Sequence, residues 1–247
     1  MKKILFVFIL FITISCEKPS ECFESTGENT TKNVVINPFT RLEVYKGIAV
    51  QITEGATYSL QIETGSNIID NIEVVQNGSV LKIQDNTSCN WLREYGQTVV
   101  KITAPNIETI YSKTNKDIYS NGILHYPKLN LIALDPIDGN AGAGTGDFFI
   151  TLEGNECTID SNTLARYTLA GQVNSLNVNI YANDTRVNAE NMLAQNCNIY
   201  HRGSNDIFVK VIQNVTGKLV STGNLVLKNQ PAFVNVQTYY QGQVLYN

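Results

Sequence analysis

The sequence predicts an all-β protein built as a parallel β-helix, a β-solenoid of stacked short strands, with a more irregular β region at its N-terminal side. Three observations carry this reading. Charged residues make up 16% of the 247-residue chain and hydrophobic residues 43%. There is thus apolar matter for a core, but less than the usual ~25% of charge that surface helices draw on. Period-two alternation fills the first half of the chain. A degenerate repeat near twenty residues, with no helix-length segment inside it, fills the second.

The chain opens MKKILFVFILFITISC. Lys2 and Lys3 form a positive head, Ile4 to Ile14 is an apolar run, and Ser15 precedes Cys16. Eleven residues of helix cover ~16 Å at ~1.5 Å per residue, and a bilayer core of ~30 Å needs roughly twenty. The segment therefore reads as a signal peptide (residues 1–15) and not as an anchor. A cysteine at the cleavage point makes it similar to a bacterial lipoprotein signal, with Cys16 as the acylated first residue. Thr13, Ile14 and Ser15 depart from the usual lipobox. The alternative is an ordinary secretory signal with Cys16 as a free or paired thiol. Residues 16–35 then form a lipidated tether.

From residue 36, alternation is plain in LEVY, IAVQIT, YSLQIE, IEVV, VLKIQ and VVKIT, broken by Gly47, Gly55, Gly65, Gly78 and Gly96. These are strands, arranged as hairpins or as an irregular opening of the solenoid. QNGSV (76–80) is a hairpin signal, since Asn77-Gly78 suits a type I′ turn.

The repeat starts near Lys101. One apolar column runs Ile118, Phe148, Tyr167, Val187, Ile207, Leu225, at spacings of 30, 19, 20, 20 and 18 residues. A second runs Ile110, Ile132, Ile159, Val178, Ile199, Leu219. Small polar turns separate them. Stacking at the ~4.8 Å strand spacing would pile each column into an internal ladder. Leucine-rich repeats need L-x-x-L-x-L-x-x-N, which does not recur. The folded domain is assigned to residues 36–230, and residues 231–247, with Tyr239, Tyr240 and Tyr246, to a C-terminal capping segment.

If Cys16 carries lipid, Cys22, Cys89, Cys157 and Cys197 remain, and export allows disulfides among them. Four cysteines permit three pairings. Cys22 and Cys89 sit in polar, turn-like contexts, which favours a Cys22–Cys89 bridge. It would close a loop of about 68 residues, worth roughly 4 kcal/mol on the chain-entropy model. Trp91 could shield it. Cys157 and Cys197 each stand two residues before a column residue, two repeats apart. That is roughly 10 Å at ~4.8 Å per repeat, too far for a disulfide, which needs Cα atoms within about 7 Å. Both are expected as buried, unpaired thiols.

Chemistry is sparse. The net charge is −4 with no basic cluster in the mature part, so no nucleic-acid footprint is present. DGNAGAGTGD (138–147) is glycine-rich, but Gly146 is followed by Asp147 where a P-loop needs Lys-Ser/Thr. Asp135, Asp138 and Asp147 offer hard oxygen ligands for calcium, without an EF-hand pattern. No G-x-S-x-G occurs. His125 and His201 read as solvated turn residues. Asp117, Asp147 and Asp206 share a column with Arg166 and Arg186, which reads as a salt-bridged ladder of little worth per pair. No cofactor is expected.

The stretches FTRLEVYKGIAVQITEG, IETGSNIIDNIEVVQNGSVLKIQDNTSCNWLR and VKITAPNIETIYSKTNKDI resemble the head GIN domain family of auto-transporter adhesins, over roughly residues 36 to 230. The carrying elements are the opening Phe39 with its alternating strands, the Gly47 turn, NGSVLKI and the turn-plus-strand repeat. The CNWLR block with upstream ECFESTG is similar to a lipoprotein subgroup, which supports pairing Cys22 with Cys89. Lys113-Thr114-Asn115 stand where the family has Gly-Ser-Gly. The resemblance implies a right-handed parallel β-helix without enzymatic activity. The expected function is a non-catalytic cell-envelope lipoprotein of the outer membrane. It would serve as an adhesin or binding module for a glycan or protein, tethered to the membrane through its lipid. The alternatives are a polysaccharide-active β-helix enzyme, lyase or hydrolase, and a structural scaffold of an envelope system.

Overall fold

A computed structural model describes residues 25–87, 98–135 and 144–247. Cys16, Cys22, Cys89, Trp91 and Asp138 lie outside the described residues. So do the signal segment and most of the tether.

The protein is all-β. Seventeen strands join in one continuous hydrogen-bonded network, and a single 3-10 turn (Ile69–Asn71) is the only helical element among the described residues. The strands are β1 (Asn29–Val34), β2 (Arg41–Val44), β3 (Ala49–Glu54), β4 (Ser59–Gly65), β5 (Ile72–Asn77) and β6 (Val80–Asp85). There follow β7 (Val99–Ala104), β8 (Thr109–Ser112), β9 (Ile118–Leu124), β10 (Lys128–Ala133), β11 (Phe148–Ser161) and β12 (Arg166–Ile180). The last are β13 (Arg186–His201), β14 (Ile207–Leu219), β15 (Leu225–Leu227), β16 (Phe233–Thr238) and β17 (Val244–Tyr246).

Two parallel rows face one apolar core. The first runs β7–β3–β9–β11–β12–β13–β14–β15–β17. The second runs β6–β2–β8–β10–β11–β12–β13–β14–β16. Strands β11 to β14 are long because each serves both rows. The first part of β11 pairs with β9 and its second part with β10.

The column Ile118, Phe148, Tyr167, Val187, Ile207, Leu225 stands in hydrogen-bonded register, residue on residue. It extends to Val50 and Val100 on one side and Val244 on the other. Within it the rings of Phe148 and Tyr167 stack with centroids 4.7 Å apart and planes 6° apart. Such a pair adds about 0.5–1.5 kcal/mol beyond burial.

The second column differs in two places. Leu131, not Ile132, pairs with Ile110 and Ile159 and is buried, while Ile132 points outward. Gly217, not Leu219, follows Ile199, and Leu219 stacks on His201. A strand turns only alternate residues inward, so of two adjacent aliphatics only one can enter a column.

The first half mixes both kinds of pairing. β2 and β3 lie between strands that come later in the chain, parallel to both neighbours. β1–β4, β4–β7 and β5–β6 are antiparallel. The hairpin at 76–80 forms, with Asn77 opposite Val80. Gly78 alone of its two central residues has a positive φ, +58°. That is the pattern of a type II′ turn, with glycine first, not of the expected I′ turn.

The column of alternating charge is not a salt-bridged ladder. Arg166 and Arg186 stand side by side, and no ion pair among the described residues joins the column. Instead each acidic or amide side chain accepts from a backbone N–H on the next rung. Asp117 takes that of Asp147 (3.3 Å), Asp147 that of Arg166 (3.3 Å), Asp206 that of Asn224 (3.1 Å) and Asn224 that of Gln243 (3.0 Å). A side chain reaches one strand spacing easily, and the amide at a strand start needs an acceptor.

Candidate functional site

The antiparallel strands β4 and β1 extend the first row beyond β7, so that β1, β4, β7, β3 and β9 lie side by side with a common outer surface. Their inward residues, such as Leu60, Ile62, Val100, Ile102, Val50 and Ile52, are buried. Alternation therefore forces their polar neighbours outward. Asn33, Gln61, Lys101 and Gln51 are consecutive partners across four strands, and the line continues through Tyr119 to Phe149. Beside it runs a hydroxyl line, Ser59, Thr103 and Thr53, ending at Asn121, whose amide donates to Thr53 at 3.3 Å. The segment Val34–Ile36 and Tyr58 wall the surface into a groove of about 640 Å³. Val35 there is 98% exposed.

The groove has hydrogen-bonding capacity but little net charge. Among the described residues Lys101 is its one cation, and the carboxylate of Glu63 holds that ammonium at 2.5 Å. Gln61 donates to Asn33 at 3.1 Å.

A second cluster occupies the corner between the rows. Glu54 accepts from the backbone N–H of His125 at 2.5 Å and lies 2.9 Å from its Nδ1. Glu153 lies 3.9 Å from Nε2. His125, Glu153, Gln172, Asn174 and Gln195 edge a depression of about 400 Å³. His125 is thus an exposed turn residue, but one placed between two carboxylates.

His201 differs from the solvated turn residue expected. It is fully buried, with Nε2 2.8 Å from the Asn205 carbonyl and Nδ1 accepting from Gly203 N–H at 3.3 Å. Burial lowers its pKa, so the neutral ring is favoured and both nitrogens are occupied.

Cys157 and Cys197 are buried free thiols, separated in the stack by Leu176. Burial pushes each thiol up to about 12. Of the calcium candidates, Asp135 is exposed, with its N–H donating to Asn162 at 2.7 Å. Asp147 is engaged with Arg166 N–H. Burial, then the nearby Asp117 carboxylate, raise its pKa. No group of three or more His, Cys, Asp or Glu among the described residues is placed to hold a metal ion.

The glycines at the end of DGNAGAGTGD are packing devices. A Cβ on Gly144 would lie 2.1 Å from the Ser112 carbonyl, and one on Gly146 1.9 Å from that of Lys116. In the Lys113-Thr114-Asn115 turn, Thr114 donates to the Ile48 carbonyl (2.9 Å) and Asn115 accepts from Gly47 N–H (3.1 Å). The Lys113 ammonium, nearly buried, sits over the rings of Tyr45 and Tyr111 at 5.7 and 5.5 Å.

Residues 38–231 match the family model described as "Putative auto-transporter adhesin, head GIN domain". The chain belongs to the head GIN domain family. Solved structures show the same fold at low identity. A "putative adhesin" from Bacteroides fragilis NCTC 9343 superposes with a TM-score of 0.79 at 16% identity, covering 91% of this chain and 100% of that one. One from Parabacteroides merdae ATCC 43184 gives 0.64 at 16%, covering 91% and 98%. A "putative lipid binding protein" from Parabacteroides distasonis ATCC 8503 gives 0.57 at 14%, covering 90% and 99%. Among curated proteins, none matches the chain. No helix of this head GIN protein's described residues is long and apolar enough to cross a membrane.

Groove residues such as Gln51, Gln61 and Lys101 carry no sequence motif. Only cross-strand register brings them together, and the sole local hint was their alternation with aliphatic residues.

Proposed function

We propose that this head GIN protein is an envelope lipoprotein whose folded part is a binding module of adhesin type, a right-handed parallel β-helix held at the outer membrane by lipid on Cys16. A Cys22–Cys89 disulfide would pin the start of the domain near the tether. The observation that carries the reading is the groove on β1, β4, β7, β3 and β9. Its hydrogen-bonding side chains are set by a rigid sheet and repeat at the strand spacing, an arrangement suited to holding a ligand without transforming it. Family membership and the adhesin descriptions of similar structures support the same direction.

The test is saturable binding of residues 17–247, which keep Cys22, to bacterial envelopes and to host-surface material. Saturable binding weakened by substitutions in the groove is the expected result. Binding that never saturates, or that ignores the groove, would overturn it.

The second reading, a polysaccharide-active enzyme, is favoured by one arrangement: His125 between Glu54 and Glu153 beside a polar depression. Turnover of polysaccharides that disappears in Glu54→Gln and Glu153→Gln would establish it in place of the first.

A further inference from the structure

The chemistry of the groove points to a class of ligand. We infer that the outer face of the first row binds an uncharged oligosaccharide laid across the strands, from Gln61 toward Phe149. The inference rests on the binding-module reading above and deepens it.

Three features select that ligand. The first is the kind of polar group present. Gln51 and Gln61 present amides and Thr53 and Thr103 hydroxyls, groups that both donate and accept. Sugar hydroxyls do the same, so each pair of neighbouring hydroxyls can be met by one side chain. The second is charge. The only cation in the groove among the described residues, Lys101, already has Glu63 at 2.5 Å. An anionic ligand would meet an ammonium whose charge is already neutralised, with the Glu63 carboxylate beside it to repel the newcomer, whereas a neutral one meets no such repulsion and still receives the ammonium's remaining hydrogens. Apolar surface is confined to the wall of Val34–Ile36 and Tyr58, whereas the floor is amide and hydroxyl, so an acyl chain laid across the strands would leave those floor groups without partners.

The third feature is the continuation of the line. Gln51 is followed across the sheet by Tyr119 and then by Phe149, which is 43% exposed. An aromatic ring left open beside a row of amides offers a flat apolar surface to the C–H face of a sugar ring while the amides take its hydroxyls. From Asn33 to Phe149 the line crosses six strands, hence about 24 Å at ~4.8 Å per strand. That is an extended site with repeating contacts, suited to a polymer and not to a monosaccharide.

The experiment uses residues 17–247 against soluble fragments of neutral glycans (β-glucan, mannan, xylan) and acidic glycans (polygalacturonate, alginate), with binding read by calorimetry. At least one neutral fragment is expected to bind, and affinity should rise with chain length up to the reach of the line. Gln51→Ala and Phe149→Ala should each weaken it about tenfold while leaving the melting temperature near that of the parent. Thr158→Ala, on the other row's outer face, should change nothing and controls for indirect effects. Silence from every neutral fragment, binding of acidic fragments alone, or affinity in the Gln51 and Phe149 variants unchanged from that of the parent would overturn the inference. If saturable, groove-dependent binding to envelopes or host material persists but is lost on protease treatment of that material, the ligand is a protein: this inference fails and the binding-module reading stands. Loss of both kinds of binding removes both.

Discussion

Raising the pH should destabilise this fold through Cys157 and Cys197, and the size of the effect follows from their burial. Both thiols are fully enclosed among apolar neighbours, and their pKa values rise from about 9 to about 12. The unfolded chain then loses these protons first. Between the two values the unfolded state binds fewer protons than the folded one, so stability falls as pH rises. Below pH 9 both states hold the proton and the effect vanishes. One unit above the unfolded value, each thiol lowers stability by RT ln 11, about 1.4 kcal/mol, or roughly 3 kcal/mol for the pair. Urea unfolding at pH 7.5 and pH 10 measures it, comparing the parent with Cys157→Ala/Cys197→Ala. The double variant will be weaker at neutral pH, because two side chains are trimmed in the core. The parent should nevertheless lose about 3 kcal/mol more than the variant between the two pH values. Other groups titrate alike in both proteins and cancel. Equal losses would refute the argument and mean that the thiols are hydrated or paired.

Further outcomes follow from the same structure. Alkylation of Cys157 and Cys197 at pH 8 should wait on unfolding, and peptide mapping should show no bridge between them, since Leu176 stands between their rungs. Gly217→Ala should cost more than Gly78→Ala: the first has φ +139° and would put a Cβ 1.9 Å from the Ile199 carbonyl, the second has φ +58° and open space around it. Calorimetry should give about 1–3 kcal/mol for the glycine-only conformation at either position, and for Gly217 in addition the cost of the backbone shift that relieves the contact. Tyr167→Ala opens the column beside Phe148 and should lose about 3–5 kcal/mol by chemical denaturation. Cys16→Ser should release the protein from membranes with an unchanged melting temperature. Cys22→Ser should leave it membrane-bound but less stable, and like behaviour of the two variants in fractionation and melting would contradict separate roles.

The repeat was legible because stacking in register leaves a trace in spacing. Phe148, Tyr167, Val187, Ile207 and Leu225 could be aligned by eye, and hydrogen bonding joins those same residues. The trace fails where composition imitates it. Leu131 and Ile132 are equally aliphatic, and only strand phase decides which faces inward. At Gly217 no side chain exists to mark the column, and the next aliphatic residue on the same face is Leu219. The alternating charges near Asp147 and Arg166 suggested ion pairs because sequence shows side chains and hides the backbone N–H groups that those carboxylates serve. His201 looked solvated among polar letters, yet Asn205 and Gly203 satisfy both ring nitrogens and let it be buried. The groove was least legible. Gln51, Gln61 and Lys101 meet only because β3 and β4 flank β7, and that order is not the order of the chain.

That displaced order bears on how the molecule would carry a load. A stack built strictly in sequence can be peeled from an end, one strand at a time. Here β2 and β3, near the start of the chain, are clamped on both sides, by β6 and β7 and by β8 and β9. With Cys22 and Cys89 unbridged, a pull on the N-terminal end can unzip β1 from β4, but it then meets strands that must be drawn lengthwise out of the sheet. All the bonds on both flanks have to shear together. The insertion makes the beginning of the chain a wedge, so tension applied there meets its strongest resistance after the first strand has come away.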